Sequence, residues 1–445
     1  MNWSNLKTKS IQLSPPSLLA LGFIGLILIG TVLLMLPISH DADITWMDAL
    51  FTATSATTIT GLSTVNVGEA YSTFGQVVIM LLLQCGGLGF MTFAILAVIS
   101  LVPKMGLKQQ LLAQESIGQT SLKKVTFTIR AVLLYSLFFE AIGTTILTIA
   151  WMQDYNFKEA FFYAAFYSVS AFNNGGFSLF PNSLMSFSGQ YFVTFTISML
   201  YIMGGVGFLV LMDVKKNRRW KRLSPNSKLI LTTMLGLNLV AFMLIWLLES
   251  RNPQTLGLMN FGDQALNAWF HATVPRSSGF YSVPLEQMND ASTLVTMFLM
   301  FIGGGSLSTA GGIKVGTFII VVISVISFLR REDEVRLFRH AIPTVTTFKA
   351  LAVMSITAML VMFGCMSLLI LEPEHDFLDL LFEAVSAACT VGLSRGITDQ
   401  LQPASLWVLM LLMFVGRLGP LTLAYLIATP KKSYIKHPPT EIQVG

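Results

Sequence analysis

Long apolar runs alternate with short amphipathic ones along the chain, and the alternation recurs four times. Apolar stretches near residues 17–37, 73–101, 127–151, 190–213, 228–249, 291–328, 346–371 and 403–428 each reach the ~20 residues that cross a bilayer as a helix. Between them lie four segments too short to span: Trp46–Thr57, Phe157–Phe172, Phe261–Thr273 and Phe377–Ala388. At about 1.5 Å per residue, these reach roughly halfway through a ~30 Å hydrocarbon core. The first run, Leu18–Leu36, follows Lys7 and Lys9 as a signal peptide's apolar core does, but it is long and lacks a small-residue cleavage site. It reads as a retained helix.

Each short segment leads into a glycine set in the same local pattern: SATTITGLS at Ser55–Ser63, SAFNNGGFS at Ser170–Ser178, TVPRSSGFY at Thr273–Tyr281 and SAACTVGLS at Ser386–Ser394. A Ser or Thr stands six residues before the glycine and an aromatic ring nine or ten before it. Gly61, Gly176, Gly279 and Gly392 are spaced by 115, 103 and 113 residues, so one unit is written four times. Non-helical backbone at membrane depth survives only where protein or a water-filled cavity satisfies it. The pattern therefore predicts an all-α integral membrane protein: eight transmembrane helices in four pseudo-repeats of helix, pore loop and helix around one pore. The expected divisions are a segment 1–16, repeats at 17–101, 102–213, 228–328 (with a broken inner helix) and 346–428, and a tail 429–445. The alternative is four tight extracellular turns, which glycine also favours.

A four-fold set of carbonyl-bearing loops suits a cation that must exchange its water shell for other oxygens without being held too tightly. The candidate donors are Thr58, Ile59, Thr60 and Gly61; Asn173, Asn174, Gly175 and Gly176; Arg276, Ser277, Ser278 and Gly279; and Cys389, Thr390, Val391 and Gly392. The last set opens like the potassium-channel signature TVGYG. Because the four strands differ in sequence, strict four-fold symmetry is lost.

Composition sharpens the picture. Hydrophobic residues make up 53% of the chain and charged ones 11%, far from a soluble domain. Of 28 Lys and Arg, 22 fall on one side of the expected spans: Lys7, Lys9, Lys104, Lys108, Lys123, Lys124, Arg130, the Lys215–Arg222 cluster, Lys228, Arg330, Arg331, Arg336, Arg339, Lys349, Lys431, Lys432 and Lys436. The other side holds Lys158, Arg251, Arg276 and Arg395 with 16 of the 23 acids. Basic short loops stay in the cytoplasm, which predicts both termini inside a plasma membrane, glycine loops outside and an acidic outer face that concentrates cations. Asp48 and Glu383, within short helices, fit a mouth role or a structural one equally. Nucleic-acid binding is not expected, since no soluble domain carries the basic loops. The cysteines Cys85, Cys365 and Cys389 lack metal-site spacing and read as packing residues.

The inner helices repeat a second signal: Gly86-Gly87-Leu88-Gly89-Phe90, Gly204-Gly205-Val206-Gly207-Phe208, Gly303-Gly304-Gly305-Ser306 and Gly416-Arg417-Leu418-Gly419-Pro420. They begin 25, 28, 24 and 24 residues after their loop glycines, so they share a depth. The first two read as close helix packing. In the third, Gly303, Gly304, Gly305, Ser306, Ser308, Thr309, Gly311 and Gly312 exclude a robust helix and predict an intramembrane gating loop, with kinked packing as the alternative. Arg417 sits mid-span, where insertion costs roughly 2.5–3.5 kcal/mol. It either faces the cavity below the loops and opposes a passing cation, or binds free carbonyls of the broken helix, or does both. Lys314 neutralises or snorkels, and Glu140 and Asn238 read as satisfied packing polars.

With these residues in place the chain resembles the Trk/Ktr/HKT potassium transporters. The likeness rests on four repeats with one loop glycine each, RSSGF in the third, the glycine-rich third inner helix and GRLGP in the fourth. Eight spans without an additional N-terminal pair look most like the bacterial KtrB branch. The resemblance implies K+ uptake driven by membrane potential and Na+ as an activator. It also implies a homodimer and a KtrA-like cytoplasmic nucleotide-binding ring that moves Gly303–Gly312 in response to ATP or ADP. Glycine at position 61, where sodium-transporting plant relatives carry serine, favours potassium over the alternative of a sodium-coupled or sodium-conducting symporter. No dinucleotide or phosphate-binding fingerprint occurs, so no organic cofactor is expected in this chain. An intramembrane enzyme is disfavoured, because His271 is solitary and neither GxSxG nor HExxH occurs. A passive scaffold has no use for a broken helix and a buried arginine.

Overall fold

The computed structural model describes the backbone of residues 15–101, 122–338 and 340–419, and the side chains of 17–88, 130–338 and 340–419. The orientation-setting Lys7, Lys9, Lys104, Lys108, Lys123, Lys124, Arg339, Lys431, Lys432 and Lys436 lie outside the described side chains, as do Gly89, Phe90, Pro420 and the expected segments 1–16 and 429–445.

The protein is mostly helical. The order is α1 (Pro15–Leu34), α2 (Trp46–Thr58), α3 (Val67–Ala70), α4 (Thr73–Leu101), α5 (Leu122–Trp151), α6 (Phe157–Phe172), α7 (Tyr191–Val206) and α8 (Phe208–Lys216). It continues with α9 (Pro225–Glu249), α10 (Phe261–Thr273), α11 (Asp290–Phe301), α12 (Val315–Leu329), α13 (Thr344–Leu371), α14 (Phe377–Ala388) and α15 (Pro403–Leu418). A two-residue hairpin pairs Arg336–Leu337 with His340–Ala341.

Among the described residues, four helices are long and apolar enough to cross a membrane, within α1, α5, α9 and α13. The expected span at 190–213 is not one helix: α7 and α8 meet at Gly207 with a 93° bend. Gly207 has φ +103°, outside helical space, and the Phe208 N–H turns to the Leu307 carbonyl at 3.1 Å. The 291–328 run likewise divides into α11 and α12. In α15 the helix ends at Leu418 because Gly419 takes φ +82°, and the remainder of the 403–428 span lies outside the described residues.

The short helices start where their side chains can satisfy the first free N–H groups. Thr45 and Asp48 form a reciprocal capping box at α2, while Asn156 and Asn260 accept from the Glu159 and Asp263 N–H groups at α6 and α10. Each packs against the long helix before it: α2 on α1, α6 on α5, α10 on α9 and α14 on α13. Each following helix then touches the next short helix, α4 to α6, α7 to α10 and α11 to α14, and α15 returns to α2. The contacts thus close a circle in chain order.

Glycine permits the tightest of these approaches. A Cβ on Gly86, Gly204 or Gly416 would run into the Thr57, Phe172 or Ala388 carbonyl oxygen, each the residue four before a loop glycine. Small residues here let a helix lie directly on the end of a short helix. We expect Gly416→Ala to destabilise the detergent-solubilised protein by about 1–3 kcal/mol, read as a lower thermal unfolding midpoint. Gly236→Ala on α9, with nothing within 4 Å of the added carbon, should leave the midpoint unchanged or raise it.

Candidate functional site

The four glycine loops converge. A Cβ placed on Gly61 would lie 2.5 Å from the Gly175 carbonyl oxygen and 3.1 Å from the Gly176 Cα. One on Gly176 would lie 2.7 Å from the Gly279 Cα, one on Gly279 3.4 Å from the Gly392 Cα, and one on Gly392 2.9 Å from the Gly61 Cα. Gly61, Gly176, Gly279 and Gly392 therefore touch in sequence order and close a ring with no room for a side chain. All four have positive φ, at +96°, +69°, +69° and +89°, a second reason for glycine.

The residue two before each glycine is also left-handed: Ile59 (φ +57°), Asn174 (+60°), Ser277 (+74°) and Thr390 (+48°). Four unrelated side chains thus share one backbone shape, which for β-branched Ile59 and Thr390 is a genuine outlier held by its surroundings. That turn is fixed by hydrogen bonds back to the short helix. Thr60 N–H donates to Ser55 O (2.8 Å), Gly175 N–H to Ser170 O (2.7 Å), Ser278 N–H to Val274 O (3.1 Å) and Val391 N–H to Ser386 O (2.9 Å). The recurring Ser or Thr six before the glycine also gains a role. Gly61 N–H donates to the Ser55 hydroxyl at 3.0 Å and Gly392 N–H to that of Ser386 at 3.1 Å. In the second loop the Ser170 hydroxyl instead donates to Phe177 O at 2.9 Å.

On one side of the ring opens a cavity of about 310 Å³, lined by all four glycines and reached by Glu286 and Asp399. Arg395 lies between the cavity-lining Ser394 and Gly396: Nε pairs with Asp379 at 2.5 Å, and the guanidinium also donates to Leu285 O, Glu286 O and the Thr293 hydroxyl. Nothing in the sequence marked Arg395 as a clasp. On the other side end the four short helices, whose C-termini carry about half a negative charge each and favour a cation.

Against that second side lies the stretch between α11 and α12. Ile302 and Ile313 bridge its ends in parallel. Thr309 Oγ1 donates to Asn174 Oδ1 at 2.9 Å, Gly311 N–H donates to the Ser277 hydroxyl at 2.9 Å, and that hydroxyl donates to Thr390 O at 2.6 Å. A Cβ on Gly311 would meet Thr390 Oγ1. Gly305 N–H donates to Gly205 O at 2.7 Å. The Arg417 guanidinium donates to Thr309 O at 2.6 Å and Gly86 O at 2.9 Å, and Lys314 Nζ to Ala310 O at 2.5 Å. Residues 303–312 and Arg417 thus touch the second, third and fourth loops from below.

Other expected side chains have different places. Arg276, counted with the outer-face charges, is buried, its guanidinium donating to Met234 O at 3.3 Å. Burial within the third loop's packing removes it from that face. Asp48 caps α2 and accepts from Thr64, a structural tie. Glu383 is fully buried and accepts from Thr398, not from solvent at a mouth. Glu140 is well bonded, whereas Asn238 Oδ1 has no partner among the described residues.

Residues 18–437 match the TrkH family, described as "Cation transport protein". The chain belongs to the TrkH family. It is 44% identical to the Ktr system potassium uptake protein B of Bacillus subtilis, over 98% of each chain, and 38% identical to that of Vibrio alginolyticus, over 97% and 95%. The crystal structure of the potassium transporter TrkH from Vibrio parahaemolyticus shares the fold, with a TM-score of 0.75 at 20% identity, covering 94% of this chain and 86% of that one. Members of the family transport cations and are not enzymes.

Replacing Ser386 with Ala strands the buried Gly392 N–H. We expect a loss of about 1–3 kcal/mol, measured as a lowered denaturation midpoint in detergent, with the secondary structure retained by circular dichroism.

Proposed function

We propose that this chain carries potassium inward across the plasma membrane through one pore bounded by four pseudo-repeats, with residues 58–61, 173–176, 276–279 and 389–392 as the carbonyl-lined selectivity filter. The observation that carries the reading is the closed circle of Gly61, Gly176, Gly279 and Gly392, with a cavity on one side and four helix C-termini on the other. The relatives' naming as potassium uptake proteins supports the choice of ion. In this reading α1, α5, α9 and α13 are outer spans, and α4, α7–α8, α11–α12 and α15 are inner spans, giving eight. Both termini lie in the cytoplasm, as the basic loops at Lys215–Arg222 and Arg330–Arg336 favour. A hydrated ion enters the acidic vestibule, exchanges water for main-chain oxygens at the ring, and gains about 2.3 kcal/mol per 100 mV of inside-negative potential on crossing.

Residues 303–312 form the gate and Arg417 its latch, a cation that both opposes the passing ion and ties the loop to α4 through Gly86 O. A cytoplasmic nucleotide-binding ring drives the gate, sodium stimulates uptake, and two copies of the chain form the membrane unit. The relatives' naming as component B of a system fits a second component.

The test is potassium flux into liposomes holding the full chain. Gly279→Leu, which places a side chain inside the ring, should abolish uptake of a protein that still folds; unchanged uptake removes the filter assignment. Arg417→Gln, or removal of part of 303–312, should raise flux several-fold; a variant that no longer folds gives Arg417 a purely structural role.

A further inference from the structure

Behind the second loop sits a carboxylate that the pathway above does not use. Glu140, on α5, is buried and accepts four hydrogen bonds. The Ser136 hydroxyl donates to Oε1 at 2.6 Å, Gln84 Nε2 to Oε1 and Oε2 at 3.0 and 3.2 Å, and Asn173 Nδ2 to Oε1 at 3.2 Å. Asn173 Nδ2 also donates to Gln84 Oε1 at 2.7 Å and Val169 O at 2.9 Å. Asn173 opens the second carbonyl strand. Three elements thus grip that strand from behind: α4 through Gln84, α5 through Glu140, and the end of α6 through Val169. The approach is tight, since a Cβ on Gly87 would lie 2.8 Å from the Asn173 Cγ.

All of Glu140's hydrogen-bond donors are neutral, and no Lys, Arg or His pairs with it among the described residues. The third loop is backed by the opposite sign: the buried Arg276, whose guanidinium donates to the Met234 carbonyl. The strands are therefore unequal electrically as well as in sequence.

We propose that Glu140 is a positioning and affinity-determining residue for potassium. It fixes Asn173 through its hydrogen bonds, and in its ionised form its negative charge, with no cationic partner among the described residues, deepens the ion's well beside the second strand. The inference rests on the carbonyl-ring reading above. A buried charge keeps much of its reach, because little water screens it.

The experiment measures potassium uptake against external potassium in liposomes holding the full chain. Glu140→Gln keeps the shape and removes the charge. It should raise the half-saturating concentration roughly threefold to tenfold, as a unit charge acting through a partly polar interior would, while the maximal rate and thermal midpoint stay near the parent's. Gln84→Lys keeps the carboxylate but pairs it, and should raise half-saturation in the same direction; it serves if Glu140→Gln does not fold. Parent-like half-saturation in a folded variant overturns the proposal, as does a fall in maximal rate alone, the signature of packing damage. Gly279→Leu is measured alongside. If it is inactive and Glu140→Gln is parent-like, only this inference fails; if it transports normally, the ring reading itself fails.

Discussion

Four stretches of backbone meet at the centre of this fold more closely than a Cβ allows. Everything at the centre of this fold follows from that spacing. Gly61, Gly176, Gly279 and Gly392 lie so close in a circle that an added carbon on any one would collide with the next strand. The same requirement recurs a layer down, where Gly86, Gly204 and Gly416 rest against the carbonyls of Thr57, Phe172 and Ala388. The short helices serve this geometry: the loops that follow them find partners in the ring and in residues 303–312.

Much of the scaffold was legible because the lengths of apolar runs and of the amphipathic stretches between them are local signals. Phe157–Phe172, Phe261–Thr273 and Phe377–Ala388 are helices with the bounds their composition suggests, each beginning after Asn or Asp. The loop-glycine spacing pointed to one unit written four times, and the four loops do meet. The bend at Gly207 was not legible, since GGVGF reads equally as a packing surface, and the turn to the Leu307 carbonyl depends on a partner a hundred residues away. Nor was the burial of Arg276, because a basic residue in a loop ordinarily faces water. The left-handed quartet Ile59, Asn174, Ser277 and Thr390 shares no chemistry that a sequence could display. Its regularity lives in the backbone. The serine six residues before the glycine was visible as a recurrence, but only the N–H of Gly61 or Gly392 gives it a purpose.

Residues 303–312 are held differently from the rest of the core. They carry hydrogen bonds to Asn174, Ser277, Gly204, Gly205 and the Arg417 and Lys314 side chains. Hydrogen bonds to charged groups contribute roughly 1.5–3 kcal/mol each, and they are directional. Because Ser277 bonds both Gly311 N–H and Thr390 O, any movement of the segment is felt in two strands of the ring at once.

The circle also has a history within each molecule. Its seam joins Gly392 to Gly61, and Arg417 reaches back to the Gly86 carbonyl, so the first and fourth units complete one another. During synthesis the first three loops must wait, partly unsealed, until the fourth emerges from the ribosome and inserts. A chain terminated before that point lacks the strand that joins Gly279 to Gly61 and leaves a breach in the wall.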